Sequence, residues 1–188
     1  MNENAALFFV DRNVNGPLKD KTAFIEYGNS SNYISYNELY DQSSRLKNLF
    51  LKYNINREDR VIILMSDVIQ YPIIFWGCLK SGVIPVLLNT LLSTEIINEI
   101  INDSRAKAVF VTSNLLDSFK DLLSKNSNIQ NIFEIGKKSN YINFIDEIKK
   151  CKIESTINCS KDEVAFWLYS SGSTGQPKGV KHVHGSLQ

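Results

Sequence analysis

Val61-Ile62-Ile63-Leu64-Met65 is an unbroken apolar run, closed on one side by Asp59-Arg60 and on the other by Ser66-Asp67. A strand wetted on one face alternates apolar and polar residues, whereas a strand covered on both faces does not, and this run is of the second kind. The stretch at 68–80 is long enough for a helix, with Pro72 admissible only in its first turn or at a kink. Gly82 ends that helix, and 83–88 (VIPVLL) is a second buried strand. Two buried strands joined by a helix predict a parallel pair beneath a crossover helix.

The same alternation extends outward in both directions. Upstream, 22–27 (TAFIEY) has strand character, and 33–35 is placed to pair with it after the Gly28-Asn29 turn. Ser35-Tyr36-Asn37-Glu38 has the form of a capping box. It opens a helix expected to carry Leu39, Leu46, Phe50 and Tyr53 on one face. Downstream, Ser93 or Thr94 caps a helix with an inward stripe of Ile96, Ile97, Ile100 and Ile101. A short strand follows at 108–111, then a helix from Ser113 through Leu123 and a strand at 129–135. The spacing predicts a short helix over 141–150, a polar loop over 152–162 and a closing strand at 164–169 (VAFWLY). The fold class is therefore α/β, a mostly parallel sheet flanked by helices. In such sheets ligands sit beyond the carboxyl ends of the strands, which directs attention to the residues after Tyr169.

Composition removes several function classes. The 188 residues are 43% hydrophobic, and 21 Lys and Arg stand against 20 Asp and Glu for a net charge of +1. That balance argues against a nucleic-acid-binding surface and against an acidic tail. A chain of this size buries about 70% of its unfolded surface and needs no disulfide or metal to hold a core. The N-terminus opens with Glu3 and a short apolar run, unlike a signal peptide. Uncharged runs such as 81–94 are too short to span a membrane. A soluble, cytoplasmic protein is expected.

Of the three cysteines, Cys78 lies in an apolar run and reads as a buried thiol, while Cys151 and Cys159 sit in a polar stretch. With His182 and His184 these two lack zinc-site spacing. Trp76 and Trp167 lie in apolar runs and read as core residues. Lys149, Lys150 and Lys152 read as the solvated end of a helix.

The segment after the closing strand reads Tyr169-Ser170-Ser171-Gly172-Ser173-Thr174-Gly175-Gln176-Pro177-Lys178-Gly179-Val180. Four hydroxyl side chains (Ser170, Ser171, Ser173, Thr174) and three glycines (Gly172, Gly175, Gly179) share it with one cation, Lys178. Glycine lets backbone N–H groups converge on an anion, hydroxyls add short adjustable donors, and the lysine supplies a point charge. A flexible Ser/Gly connection would have a similar composition. Against it stand the aromatic buried strand that leads in and Pro177, which stiffens the approach to Lys178. Other phosphate loops fit badly. The GxxxxGK[ST] form needs Gly before the lysine and a hydroxyl after it, and here Pro177 and Gly179 occupy those places. A GxGxxG fingerprint is absent, and 180–184 alternates like a strand where either motif requires a helix. On that alternation His182 and His184 face one side as ordinary polar strand residues.

The segment from Ser170 to Val180 resembles the phosphate-binding signature of the adenylate-forming superfamily, which includes acyl- and aryl-CoA ligases. Asp162 to Tyr169, Tyr71 to Gly77 and Pro85 to Leu92 look most like the benzoate-CoA ligase branch, as do Asn4-Ala5-Ala6 and 9–13. The resemblance implies a two-step ligase. ATP and a carboxylic acid, benzoate-like in that branch, give an acyl-adenylate and pyrophosphate, and the thiol of CoA then displaces AMP. It implies that Ser170, Ser171, Gly172, Ser173, Thr174, Gly175 and Lys178 wrap the β- and γ-phosphates. Mg²⁺ would bridge phosphate oxygens and touch loop hydroxyls. Family members continue far beyond Gln188, through the segments that form the acid and adenine pockets and a small C-terminal lid domain. Residues 1–188 therefore correspond to the N-terminal part of the AMP-binding domain, expected to be inactive alone and to contain no catalytic residue of its own. A non-catalytic nucleotide- or protein-binding remnant is the alternative from a different class. A free-standing ATP hydrolase ranks last, because no readable motif supplies a carboxylate to orient water.

Overall fold

Covering the run at 61–65 on both sides takes two layers of helix, and both are present. The computed structural model describes residues 2–137, 139–171 and 177–187. In chain order the elements are α1 (Ala5–Phe9), β1 (Thr22–Glu26), β2 (Asn29–Ser35), α2 (Tyr36–Ser44), α3 (Leu46–Lys52), β3 (Arg60–Leu64), α4 (Gln70–Ser81) and β4 (Ile84–Leu87). Then come α5 (Thr94–Ser104), β5 (Ala108–Thr112), α6 (Ser113–Lys125), β6 (Asn131–Ile135), β7 (Ile142–Asn143), α7 (Phe144–Ile148), β8 (Val164–Ser171) and β9 (Pro177–Val183). Short 3-10 turns occupy Asp11–Asn15 and His184–Leu187.

Seven strands form one sheet in the order β7-β6-β5-β3-β4-β8-β9. Every neighbouring pair is parallel except β8 with β9, which is antiparallel. The mostly parallel α/β sheet expected from the alternation is thus the observed fold. Strands β1 and β2 form a separate antiparallel hairpin.

Val61, Ile62, Ile63 and Leu64 are all fully buried. Val61 and Ile63 pack into the layer that holds Leu46, Leu49, Phe50, Ile73, Ile74 and Cys78, whereas Ile62 and Leu64 join Ile97, Ile100, Ile101, Leu116 and Phe119 on the opposite side. Each such side chain contributes roughly 1.5–3 kcal/mol over its exposed state. Phe110 stacks on Phe133 at 4.7 Å, and Phe144 meets Phe110 edge-on at 5.7 Å, which closes the first layer over β5 and β6.

Local signals operate where the sequence places them. The capping box is formed, with Ser35 N–H donating to Glu38 Oε2 at 2.9 Å and Glu38 N–H to Ser35 Oγ at 3.2 Å. Ser93 caps α5 by accepting from Ile96 N–H. Pro72 is in the first turn of α4, and Gly82 ends that helix at φ 70°, a left-handed conformation. A Cβ on Gly82 would also fall 2.3 Å from Ile157 Cδ1, which would have to move aside, but it is the left-handed backbone that favours glycine there.

Two expectations need correction. The helix from the capping box to Tyr53 is divided at Arg45, whose N–H bonds back to Gln42 O at 3.2 Å in a tighter turn. There the Arg45 guanidinium reaches across to the Cys151 carbonyl. Leu39, Leu46 and Phe50 are still buried together, as the helical spacing required. The helix expected over 141–150 shrinks to α7 because Asn143 caps it by accepting from Asp146 N–H at 3.0 Å, leaving Ile142–Asn143 to pair with β6. The loop after Cys151 is irregular as expected, yet it is tied down by Glu154 N–H to Ser44 O (3.0 Å) and Ile157 N–H to Lys80 O (2.9 Å). Cys151 and Cys159, for all their polar neighbours, are both buried.

The loop, α4 and the N-terminal turn meet at Lys80, which is 1% exposed. Its ammonium lies 2.6 Å from Asp11 Oδ1, 2.8 Å from Ser44 Oγ and 3.9 Å from the centroid of the Tyr40 ring. Thr156 Oγ1 donates to the other Asp11 oxygen at 2.6 Å. Burial pushes the Lys80 pKa down and Asp11 pulls it back up. Removing one partner of such a pair strands the other charge. Lys80→Met is expected to lower stability by about 3 kcal/mol in urea unfolding. Asp11→Asn combined with Lys80→Met should recover more than half of that loss, because Thr156 keeps its acceptor.

Candidate functional site

Strands β3, β4 and β8 run in the same direction, so chain leaving β8 emerges at the carboxyl edge of the sheet. Strands β8 and β9 are the limbs of the Ser/Gly segment, with Tyr169 opposite Gly179, Ser170 opposite Lys178 and Ser171 opposite Pro177. Directly opposed residues project from the same face of an antiparallel pair, so the side chains of Ser170 and Lys178 leave one face. Both residues are exposed. Pro177 lacks an N–H to donate and stands at the first position of β9, where a strand tolerates it. Gly172, Ser173, Thr174 and Gly175 lie outside the described residues, as does Gln176. The pairing therefore brings together Ser170, the Ser171 backbone and Lys178.

Tyr169 contributes a contact that the motif alone does not suggest. Its ring lies over Gly179, and its hydroxyl donates to Asp103 Oδ2 in the last turn of α5. Burial first, and then this bond, push the phenol pKa well up, so the proton stays on the tyrosine at neutral pH. Between α5 and the two limbs lies a cavity of about 320 Å³, walled by Ile100, Asp103, Tyr169 and Pro177 among others.

A larger cavity, about 500 Å³, lies between the β1–β2 hairpin, the start of α4 and Leu87. Phe24, Tyr71, Phe75 and Trp76 give it aromatic walls, and Glu26 and Asp67 are its two ionisable acids. Glu26 Oε2 is engaged by Ile69 N–H and Asn32 Nδ2, each at 2.9 Å. Two carboxylates in the wall make this cavity a poor receptor for a third.

The remaining sequence candidates take structural places. Trp76 stacks on Phe9 at 5.4 Å and meets Phe75 edge-on at 5.0 Å, packing on the core while lining the larger cavity. Trp167 packs against the α5–α6 layer, with Lys181 Nζ 5.2 Å from its ring. Lys149, Lys150 and Lys152 are exposed, and Lys150 pairs with Glu147 at 2.5 Å. His182 stacks on Phe166 at 4.6 Å. His184 departs from the expected alternation: β9 ends at Val183, and His184 opens a 3-10 turn with its side chain buried. There Nδ1 accepts from Ala5 N–H at 3.1 Å, which tethers α1 to the end of β9. Among the described residues no group of three or more His, Cys, Asp or Glu could hold a metal ion. No helix among them is long and apolar enough to cross a membrane.

Residues 10–188 match the family described as AMP-binding enzyme, and the chain belongs to that family. The chain is 34% identical over 186 residues to the 4-hydroxybenzoate–CoA/benzoate–CoA ligase of Rhodopseudomonas palustris, an alignment covering 97% of this chain and 34% of that protein. It is 31% identical over 185 residues to the benzoate–CoA ligase of Thauera aromatica, covering 98% and 34% respectively. The crystal structure of a benzoate CoA ligase from Burkholderia xenovorans superposes with a TM-score of 0.83 at 27% identity, over 98% of this chain and 35% of that one. An anthranilate CoA ligase solved with anthranoyl-AMP shares the fold at TM-score 0.87 and 24% identity, over 97% of this chain and 35% of that one. The chain thus spans about a third of the length of the relatives it matches.

The buried His184 has a pH signature. Burial holds its pKa below the ordinary value, against a weaker opposing pull from Glu163. With the charged form disfavoured in the fold, the unfolded chain binds the proton more readily. The stabilisation is then fully present above about pH 6.5 and is lost as pH falls below it. The thermal midpoint is expected to drop between pH 7 and pH 5, and the drop should shrink in His184→Asn, whose amide oxygen can still accept from Ala5.

Proposed function

We propose that this chain is the N-terminal part of an ATP-dependent acid–CoA ligase acting on an aromatic carboxylic acid, benzoate-like in class. The observation that carries the reading is the pairing of Ser170 with Lys178 at the carboxyl edge of the parallel sheet, the place where α/β folds receive ligands. The ligase relatives aligned along nearly the whole chain support the substrate class.

In this reading the acid's carboxylate attacks the α-phosphorus of ATP, giving an acyl-adenylate and releasing pyrophosphate. The thiol of CoA then displaces AMP to form the thioester. Ser170, Ser171, Gly172, Ser173, Thr174, Gly175 and Lys178 hold the β- and γ-phosphates, with hydroxyl and backbone donors on the phosphate oxygens and Lys178 as the point charge. Their contribution is positioning and charge stabilisation of the departing pyrophosphate. Mg²⁺, when bound, would supply charge neutralisation, and the hydroxyls of Ser170, Ser171, Ser173 and Thr174 would suit such a hard cation. ATP and CoA as co-substrates fit a cytoplasmic site of action.

The test is calorimetric titration of the 188-residue chain with Mg·ATP. Saturable binding is expected. Lys178→Ala should weaken it about tenfold or more, the equivalent of one charged hydrogen bond, while moving stability by less than about 0.5 kcal/mol because the side chain is exposed. An unchanged affinity in Lys178→Ala would overturn the assignment of that residue.

A further inference from the structure

Strands β8 and β9 leave the sheet as the limbs of the Ser/Gly segment, and one cross-strand contact governs how they sit on each other. Tyr169 and Gly179 are directly opposed. A Cβ on residue 179 would stand 3.0 Å from Tyr169 Cζ, 3.2 Å from its hydroxyl oxygen and 3.3 Å from Cε1. Non-bonded carbons prefer about 3.5–4.0 Å, so any side chain at 179 forces the ring to retreat. Gly179 is not among the positive-φ glycines of the described residues, which are Gly28, Gly82 and Gly136, so its backbone asks for no special residue. What it provides is room for the ring.

Retreat of the ring works against the bond from its hydroxyl to Asp103. Asp103 stands in the last turn of α5, at the negative end of the helix dipole, where a carboxylate is disfavoured. A phenol donor offsets that cost and explains an acid at the wrong end of its helix. The chain of contact therefore runs from α5 through Tyr169 to the backbone of β9. Ser170 follows Tyr169 and Lys178 precedes Gly179, so the contact of ring and backbone adjoins both of these residues.

We infer that Tyr169, Gly179 and Asp103 form a brace that sets the two limbs of the Ser/Gly segment, which makes Tyr169 and Gly179 positioning residues for its ligand. The inference rests on the phosphate reading above for what the segment binds. The brace itself concerns limb geometry and can be measured without ATP.

Mg·ATP is titrated into the 188-residue chain and into Gly179→Ala, Tyr169→Phe, Asp103→Ala, the double variant Tyr169→Phe with Asp103→Ala, and Tyr169→Ser with and without Gly179→Ala. Amide hydrogen exchange is followed at 178–180 and, as a control, in β3 and β5. Gly179→Ala is expected to weaken binding about tenfold or more, since small misplacements of binding groups are costly. Tyr169→Phe and Asp103→Ala should each weaken it about threefold, with no further loss when combined, because they remove the same bond. Exchange at 178–180 should quicken in these variants while β3 and β5 stay unchanged. In the Tyr169→Ser background Gly179→Ala should cost nothing further, because the obstructing ring is gone.

Equal cost of Gly179→Ala in both backgrounds overturns the brace, as does unchanged exchange at 178–180 in Tyr169→Phe and Gly179→Ala. Tyr169→Phe keeps the ring and so guards against a simple loss of folding. Quickened exchange in a chain that never binds ATP would sink the phosphate reading and uphold the brace. Undiminished ATP binding with unchanged exchange in every variant would do the reverse.

Discussion

Burial of β3 on both faces is the constraint from which the remaining architecture follows. Val61 to Leu64 expose nothing, so each residue must find apolar neighbours, and alternate residues must find them in opposite directions. Helices α2, α3 and α4 cover one side and α5 and α6 the other. Parallel neighbours β4 and β5 are required because the connecting helices have to cross back over the sheet. That direction in turn gives the sheet a single carboxyl edge, and the Ser/Gly segment is placed there by the strand that precedes it.

The first helical layer is sealed by polar groups in an apolar setting. Lys80 sits among hydrophobic residues, yet its ammonium meets Asp11, Ser44 and the face of Tyr40. One cation thereby joins the N-terminal turn, α2 and α4, and the loop after Cys151 closes over the same point through Thr156. His184 does comparable work at the other end, accepting from Ala5 so that the end of β9 holds α1. Charge and hydrogen bonding thus decide how the outer segments dock, after apolar burial has built the layers.

Two surroundings of opposite character stand out: the β8–β9 pair at the carboxyl edge and the larger aromatic cavity. The first place offers a hydroxyl and an ammonium on one face of a hairpin. The second has aromatic walls and two acids, Glu26 and Asp67.

Much of this was legible in the residues themselves. The apolar run at 61–65, the capping box at Ser35, the stop at Gly82 and the isoleucine stripe of α5 each carry a local cause, and each acts where it is written. The hydroxyls, glycines and lysine between Ser170 and Gly179 suggested an anion site by their pattern, while their composition alone fitted a plain Ser/Gly connection equally well. Other features depend on partners distant in sequence. Arg45 interrupts a helix whose periodicity is unbroken, while its guanidinium bonds to a carbonyl more than a hundred residues away. His184 leaves its strand for a bond to Ala5. The burial of Lys80 has no local signal and rests on Asp11 and Ser44 being folded against it. Tyr169 looks like one more aromatic residue of a buried strand until the antiparallel register lays it over Gly179 and within reach of Asp103. Periodicity and turn chemistry act over a few residues and can be read in one dimension. Register, long-range ion pairing and the space left beside a glycine exist only once distant segments are brought together, and these the tertiary structure alone decided.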